Sequence, residues 1–278
     1  MKTLTLKNME TLPYGAEEAM NRLRVNFGFC GKEYKKVIIT SSTPDEGKSF
    51  VAVHLWRMLA EAGNKVVLVD ADIRKSVIRS RYQINAGSEG DYGLSYYLSG
   101  QIKLEDTLYA TNIKNAFLVP TFYTVSNPAI LLQSNRFAQM LEQLTEVFDY
   151  VLVDTPPLSN VSDGDLIASL CDGALLVVRS GVTPRSLISA SIKQLERANC
   201  RLMGMVLNRV EKEQSTYYYK YGKYGKYGKY GYGYGYGYGY GYGQDSEKGK
   251  ESGGAGKRQH GRRKDSQQSG GAAEQEPS

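Results

Sequence analysis

Between Ser42 and Ser49 the chain reads Ser-Thr-Pro-Asp-Glu-Gly-Lys-Ser. A short β-branched run, residues 37–41, precedes this stretch, and a helical pattern, residues 48–62, follows it. A turn from strand to helix is where backbone N–H groups converge on phosphate, aided by the positive end of the helix. In such a loop Lys48 neutralises the β- and γ-phosphates and the Ser49 hydroxyl ligates Mg2+. The residues offered to a nucleotide are Thr43, Pro44, Asp45, Glu46, Gly47, Lys48, Ser49 and Phe50. Ser42 stands where the first glycine of the general pattern would be, a departure at one position.

Three acids accompany the loop. Residues 67–74 read Val-Leu-Val-Asp-Ala-Asp-Ile-Arg, so Asp70 and Asp72 follow a buried run; residues 151–157 read Val-Leu-Val-Asp-Thr-Pro-Pro, with Asp154 at the end of another. A strand-end Asp beside a phosphate loop is the usual support for its Mg2+. Taken singly, each is as readily a turn acid or a helix N-cap. Together with Lys48 they form the candidate catalytic set Lys48, Asp70, Asp72 and Asp154.

The elements that must position these groups alternate along the chain. Helical patterns cover residues 17–27, 48–62, 92–98, 163–170 and 184–198, and one long pattern runs from Pro128 to Phe148. Apolar strands are expected at 37–41, 65–70, 116–119, 150–154, 174–178 and 202–207. Continuous apolar strands separated by helices predict an α/β fold with a mostly parallel sheet covered on both faces. Ligands of such sheets sit at the carboxyl ends of the strands, where the residues above fall.

Composition narrows the reading. Of 22 Tyr and 30 Gly in 278 residues, 13 Tyr and 10 Gly lie within residues 217–243, a concentration foreign to a globular core. Residues 217–278 hold 11 Lys/Arg and 6 Asp/Glu, against 24 and 23 in the rest, so the net charge of +6 belongs mostly to the C-terminal part. The nearly neutral remainder excludes a basic nucleic-acid groove. Cys30, Cys171 and Cys200 are too scattered for a disulfide framework or a metal motif. No apolar run approaches a membrane span, and residues 1–14 lack the apolar segment of a signal peptide.

These motifs resemble the bacterial tyrosine kinases of capsular and exopolysaccharide assembly, P-loop proteins unrelated to eukaryotic kinases. The resemblance covers about residues 15–210. Pro44, Glu46, Gly47, Lys48 and Ser49 match that family's Walker A core, and residues 67–75 match its additional Walker A′ box, apolar residues followed by D-x-D-x-R. Residues 151–157 match Walker B; Gly93-Leu94-Ser95, Leu98, Gly100, Asn127-Pro128, Leu131-Leu132 and Ser134 are further similarities. The resemblance implies a P-loop NTPase fold of the MinD-like (SIMIBI) kind and ATP with Mg2+ as cofactors. It implies a protein-tyrosine autokinase that regulates polysaccharide polymerisation or export by modifying its own C-terminal cluster, in trans within an oligomer. The acceptors would be Tyr217, Tyr218, Tyr219, Tyr221, Tyr224, Tyr227, Tyr230, Tyr232, Tyr234, Tyr236, Tyr238, Tyr240 and Tyr242. The implied partners are a membrane-bound adaptor (polysaccharide co-polymerase) that activates the kinase, a cognate phosphotyrosine phosphatase and further copies in a ring. The expected location is the cytoplasm, at the inner face of the membrane through the adaptor. The expected organisation is an N-terminal extension (1–14), the kinase domain (15–212), the Tyr/Gly-rich acceptor segment (213–243) and a disordered polar segment (244–278).

Departures from the family pattern carry information. Phe50 replaces the usual Thr after the Mg2+-binding Ser, removing a hydroxyl from the α-phosphate, and Ser76 replaces a usual Pro. The ring-assembly motif E-x-x-R-x-x-R appears as Glu18, Asn21 and Arg24, residues that share one helix face and serve equally as a solvated face. Asn208 and Arg209 follow the last strand, as base-proximal residues or as an ordinary strand-end turn. A tyrosine hydroxyl is protonated at neutral pH and needs a proton acceptor; Asp70 or Asp72 is that base, and the metal is expected on Ser49, Asp72 and Asp154. The competing readings are a ParA/MinD-like ATPase without kinase activity, whose signature Lys is Thr43 here, and a non-catalytic scaffold.

Overall fold

The computed structural model describes residues 2–84, 91–159 and 162–210. In chain order the elements are β1 (Lys2–Leu4), α1 (Tyr14–Phe29), β2 (Lys36–Ser41), α2 (Lys48–Glu61), β3 (Val66–Asp70), α3 (Ile78–Arg81), α4 (Leu94–Leu98) and α5 (Leu104–Thr107). They continue with β4 (Tyr109–Thr111), β5 (Ala116–Val119), α6 (Ala129–Leu132), α7 (Asn135–Val147), β6 (Tyr150–Asp154), α8 (Asp163–Ala168), β7 (Gly173–Arg179), α9 (Arg185–Arg197) and β8 (Arg201–Asn208).

One sheet of eight strands runs β1-β4-β5-β3-β6-β2-β7-β8, parallel at every pairing except β4 against β5. The central strands are apolar on both faces because both faces are covered. Leu68 and Ile39 pack with Trp56, Leu55 and Phe27 on the side of α1 and α2. Val67, Val69 and Ile38 pack with Phe137, Met140, Leu141 and Leu144 on the side of α7. Trp56 is fully buried, and its indole N–H donates to the Val66 carbonyl at 3.3 Å, so the single tryptophan ties α2 to β3. Parallel pairing brings the ends of β2, β3 and β6 to one rim, with Asp70 and Asp154 directly opposite in the register.

Three expectations change. Residues 2–4, assigned to an extension outside the domain, form β1 and pair with β4, with Leu4 and Leu6 buried. The alternation Thr3-Leu4-Thr5-Leu6 carries that signal over too short a span to stand out. The long helical pattern from Pro128 to Phe148 is two helices, because Ser134 is extended (φ −69°, ψ 146°) and its hydroxyl donates back to the Leu131 carbonyl at 2.6 Å. The short elements β4, α3 and α5 were not anticipated. Segments 213–243 and 244–278, including every expected acceptor tyrosine from Tyr217 to Tyr242, lie outside the described residues. Among the described residues no helix is long and apolar enough to cross a membrane.

Candidate active site

The phosphate loop joins β2 to α2 and is held from inside. The buried Glu46 carboxylate accepts the Thr43 N–H at 2.8 Å through one oxygen and the Thr183 hydroxyl through the other, so it faces inward and braces the loop. Gly47 has φ +94°, a left-handed conformation suited to glycine. A Cβ there would sit 2.1 Å from Nδ2 of Asn208, which donates to the Glu46 carbonyl at 2.9 Å. Asn208 therefore closes the loop against the end of β8, while Arg209 is exposed. Ser42, in the position of the usual glycine, is buried and accepts the Ser191 hydroxyl at 2.9 Å, which turns its side chain away from the cradle. Pro44 and Asp45 are exposed at the tip.

Lys48 and the three acids converge. The Lys48 ammonium lies 3.0 Å from Oδ2 of Asp72 and 3.3 Å from Oγ of Ser49. Burial works to lower its pKa, yet Asp154, Asp72 and Asp70 outweigh burial and raise it. The other oxygen of Asp72 accepts the Lys75 N–H at 3.1 Å. Asp70 accepts the Ser76 hydroxyl at 2.5 Å and the Thr121 N–H at 3.4 Å on Oδ2. Burial, with Asp154 and Asp72 adding, pushes its pKa well above the usual carboxylate range. Asp154 is raised to about 6 by burial, against the opposing pull of Lys48 and nearby Ser49.

Among the described residues, Oδ1 of Asp70 and both carboxylate oxygens of Asp154 are buried without a hydrogen-bond partner. Orphaned oxygens beside an ammonium and a serine hydroxyl are the donor set of a hard cation. No group of three or more His, Cys, Asp or Glu among the described residues holds a metal by itself. Mg2+ is commonly held by one or two carboxylates, with waters and substrate phosphates supplying the rest.

A cleft of about 290 Å3 is lined in part by Ser76, Arg79, Thr121 and Phe122. Ser76 and Thr121 also hydrogen-bond the buried Asp70, which does not itself line the cleft. Arg74 of the D-x-D-x-R box makes a two-pronged contact with the buried Asp163 and donates to the Ser126 carbonyl at 3.1 Å. It ties the box to α8 rather than facing the loop.

The structure thus brings together Ser49, Lys48, Asp70, Asp72 and Asp154, with residues 43–50 around them. Glu18, Asn21 and Arg24 lie apart on α1, where Glu18 pairs with Arg22 at 3.7 Å within the helix. Sequence reasoning missed Thr183, Ser191, Asp163, Thr121 and Arg79. They are distant in sequence and match no spacing rule; Asp163 was legible only as a helix start.

The chain is similar to known proteins over most of the described residues. The family described as an AAA domain matches residues 35–195. The tyrosine-protein kinase CpsD of Streptococcus agalactiae is 39% identical over 208 residues, 74% of this chain and 90% of that protein. The solved kinase domain of the Escherichia coli tyrosine kinase ETK superposes with a TM-score of 0.66 at 29% identity, over 82% of this chain and 88% of that one. The septum site-determining protein MinD of Pyrococcus horikoshii, solved with Mg-ADP, gives a TM-score of 0.54 at 21% identity over 66% and 76% of the two chains, a likeness of fold.

Proposed function

The chain belongs to the bacterial tyrosine-protein kinases, and from that membership we propose that it transfers the γ-phosphoryl group of ATP to the tyrosines of its own C-terminal cluster. The observation that carries the proposal is the convergence of Lys48 with Asp70, Asp72 and Asp154 at one rim of the sheet, beside the phosphate loop.

In this reading the N–H groups of residues 43–50 bind the phosphates, and Lys48 offsets their charge from its place among the acids. Ser49, Asp72 and Asp154 would hold Mg2+, as the orphaned oxygens of Asp154 support, and the ion would supply neutralisation of the charge that develops on transfer. Asp70 takes the proton of the acceptor hydroxyl. Burial, with Asp154 and Asp72 adding, raises its affinity for a proton. Asp72 is the less suited base, since its Oδ2 pairs with the Lys48 ammonium and the residue is assigned to the cation. Asn208 acts by fixing the loop rather than by reading the base. The acceptor comes from another copy in an oligomer that uses Glu18, Asn21 and Arg24. The reaction regulates capsular or exopolysaccharide assembly, with a membrane adaptor and a phosphatase as partners.

Incubation of the full chain with Mg·ATP, alone and with the cytoplasmic segment of a cognate adaptor, followed by phosphotyrosine detection, tests the proposal. Phosphotyrosine within residues 217–242, absent from Lys48→Met, is expected. Hydrolysis of ATP without phosphotyrosine in both conditions would favour the MinD-like reading.

A further inference from the structure

Position 50 carries a ring rather than a hydroxyl, and a guanidinium from α3 lies over it. Phe50 lies in the first turn of α2, next to Ser49, where N–H groups and the helix dipole draw phosphate. Its ring is half-buried on the His54 imidazole, 4.3 Å between centroids. The Arg81 guanidinium lies over that ring, 5.2 Å from its centroid. Stacking of this kind orients a planar guanidinium while leaving its N–H groups free.

The backbone that delivers Arg81 is fixed. It ends α3, whose Ile78 and the following Tyr82 are buried, and the Arg81 carbonyl accepts Nδ2 of Asn8 at 3.1 Å. Neighbouring arginines are already neutralised: Arg57 by Glu17 and Glu61, Arg74 by Asp163, and Arg79 by Asp91. Among the described residues Arg81 has no carboxylate partner and its residue is exposed. The layer below adds no competing cation. His54 is held neutral at physiological pH, its pKa lowered to about 4 by burial, Arg57 and Arg81.

We infer that Arg81, carried on the Phe50 ring, is a nucleotide-binding residue whose guanidinium contacts the α-phosphate in place of the missing hydroxyl. The inference rests on the nucleotide reading above and adds to it a residue from outside the loop and its three acids. It makes Phe50 a platform for the cation, so the two residues must act as a pair.

The test is a double-mutant cycle on ADP affinity, measured by calorimetry on the full chain in Mg2+, with thermal unfolding of each nucleotide-free variant as a check on folding. Arg81→Ala is expected to weaken ADP binding about tenfold, the scale of one charge-assisted hydrogen bond. Arg81→Lys should fall between, because an ammonium keeps the charge without the planar stack. Phe50→Thr restores the hydroxyl, and in that background Arg81→Ala should cost less than about twofold, the signature of coupled residues. A wild-type chain that binds ADP together with an Arg81→Ala variant within twofold of it overturns this inference alone. An equal loss in both backgrounds also overturns it, since Arg81 would then act independently of position 50. A wild-type chain that binds no ADP overturns the nucleotide reading and this inference together.

Discussion

Replacing Asp154 by Asn is expected to stabilise the metal-free protein at neutral pH. The carboxyl is buried, neither oxygen has a hydrogen-bond partner among the described residues, and burial moves its pKa from 3.8 to about 6. A carboxyl whose folded pKa lies above its unfolded one holds its proton more tightly when folded. Its contribution is therefore complete below the unfolded value and is lost as pH rises through the folded one. The distance between the two values corresponds to roughly 3 kcal/mol lost by pH 7.5. An amide of the same shape never ionises and escapes that loss. Part of the gain is offset, because Lys48 loses one of its acidic neighbours, although its 3.0 Å pair with Asp72 remains. A net gain of about 1–3 kcal/mol should raise the unfolding midpoint by roughly 3–10 °C for a domain of this size. The assay is thermal unfolding followed by circular dichroism in EDTA, for both proteins, from pH 3 to pH 8. The gain should shrink to about 0.5 kcal/mol near pH 4, where the folded carboxyl is protonated and the unfolded one only in part, and should vanish toward pH 3. Mg·ADP should reverse the order by stabilising the wild type more, since the variant lacks the carboxylate for the ion. A variant that melts at or below the wild type at pH 7.5 in EDTA, or whose advantage persists unchanged at pH 4, refutes the reasoning.

Other outcomes follow from the same contacts. Asp70→Asn should reduce phosphotyrosine formation by about a hundredfold or more while leaving ADP affinity within a few-fold, a split that single-turnover assay and calorimetry read separately. Glu46→Ala removes the brace shared by Thr43 and Thr183 and should cost about 2 kcal/mol of stability, with weaker ADP binding. Gly47→Ala places a Cβ against Nδ2 of Asn208 in a left-handed conformation and should lower ADP affinity at least tenfold; Asn208→Ala should recover only part, because the backbone strain remains. Asp163→Asn breaks the two-pronged contact to Arg74 and should destabilise by about 1–3 kcal/mol, seen as a lower unfolding midpoint.

Local chemistry made much of this legible in the sequence. Lys48, Ser49, Asp70, Asp72 and Asp154 stand beside strands whose apolar runs are unmistakable, and the parallel register needed only to bring those strand ends to one rim. The acids were readable as a group, but their division of labour was not. It depends on Ser76 and Thr121 reaching Asp70 while Lys48 reaches Asp72, contacts that no spacing encodes. Glu46 was read as a nucleotide residue because it sits inside the motif; its carboxylate turns inward because Thr183 and the Thr43 N–H meet it there. Strand β1 escaped notice because three residues carry too little periodicity, and it is stable only through β4, more than a hundred residues away. Asn208, open between two roles in the sequence, is resolved in position by one hydrogen bond to the Glu46 carbonyl.

That last bond has a mechanical side. β8 is the edge strand of the sheet, and from its end the chain runs on past Val210 toward the tyrosine cluster. The residue that clamps the phosphate loop is thus also the last residue of the sheet, so any change in the pairing of β8 with β7 reaches the loop through a single amide.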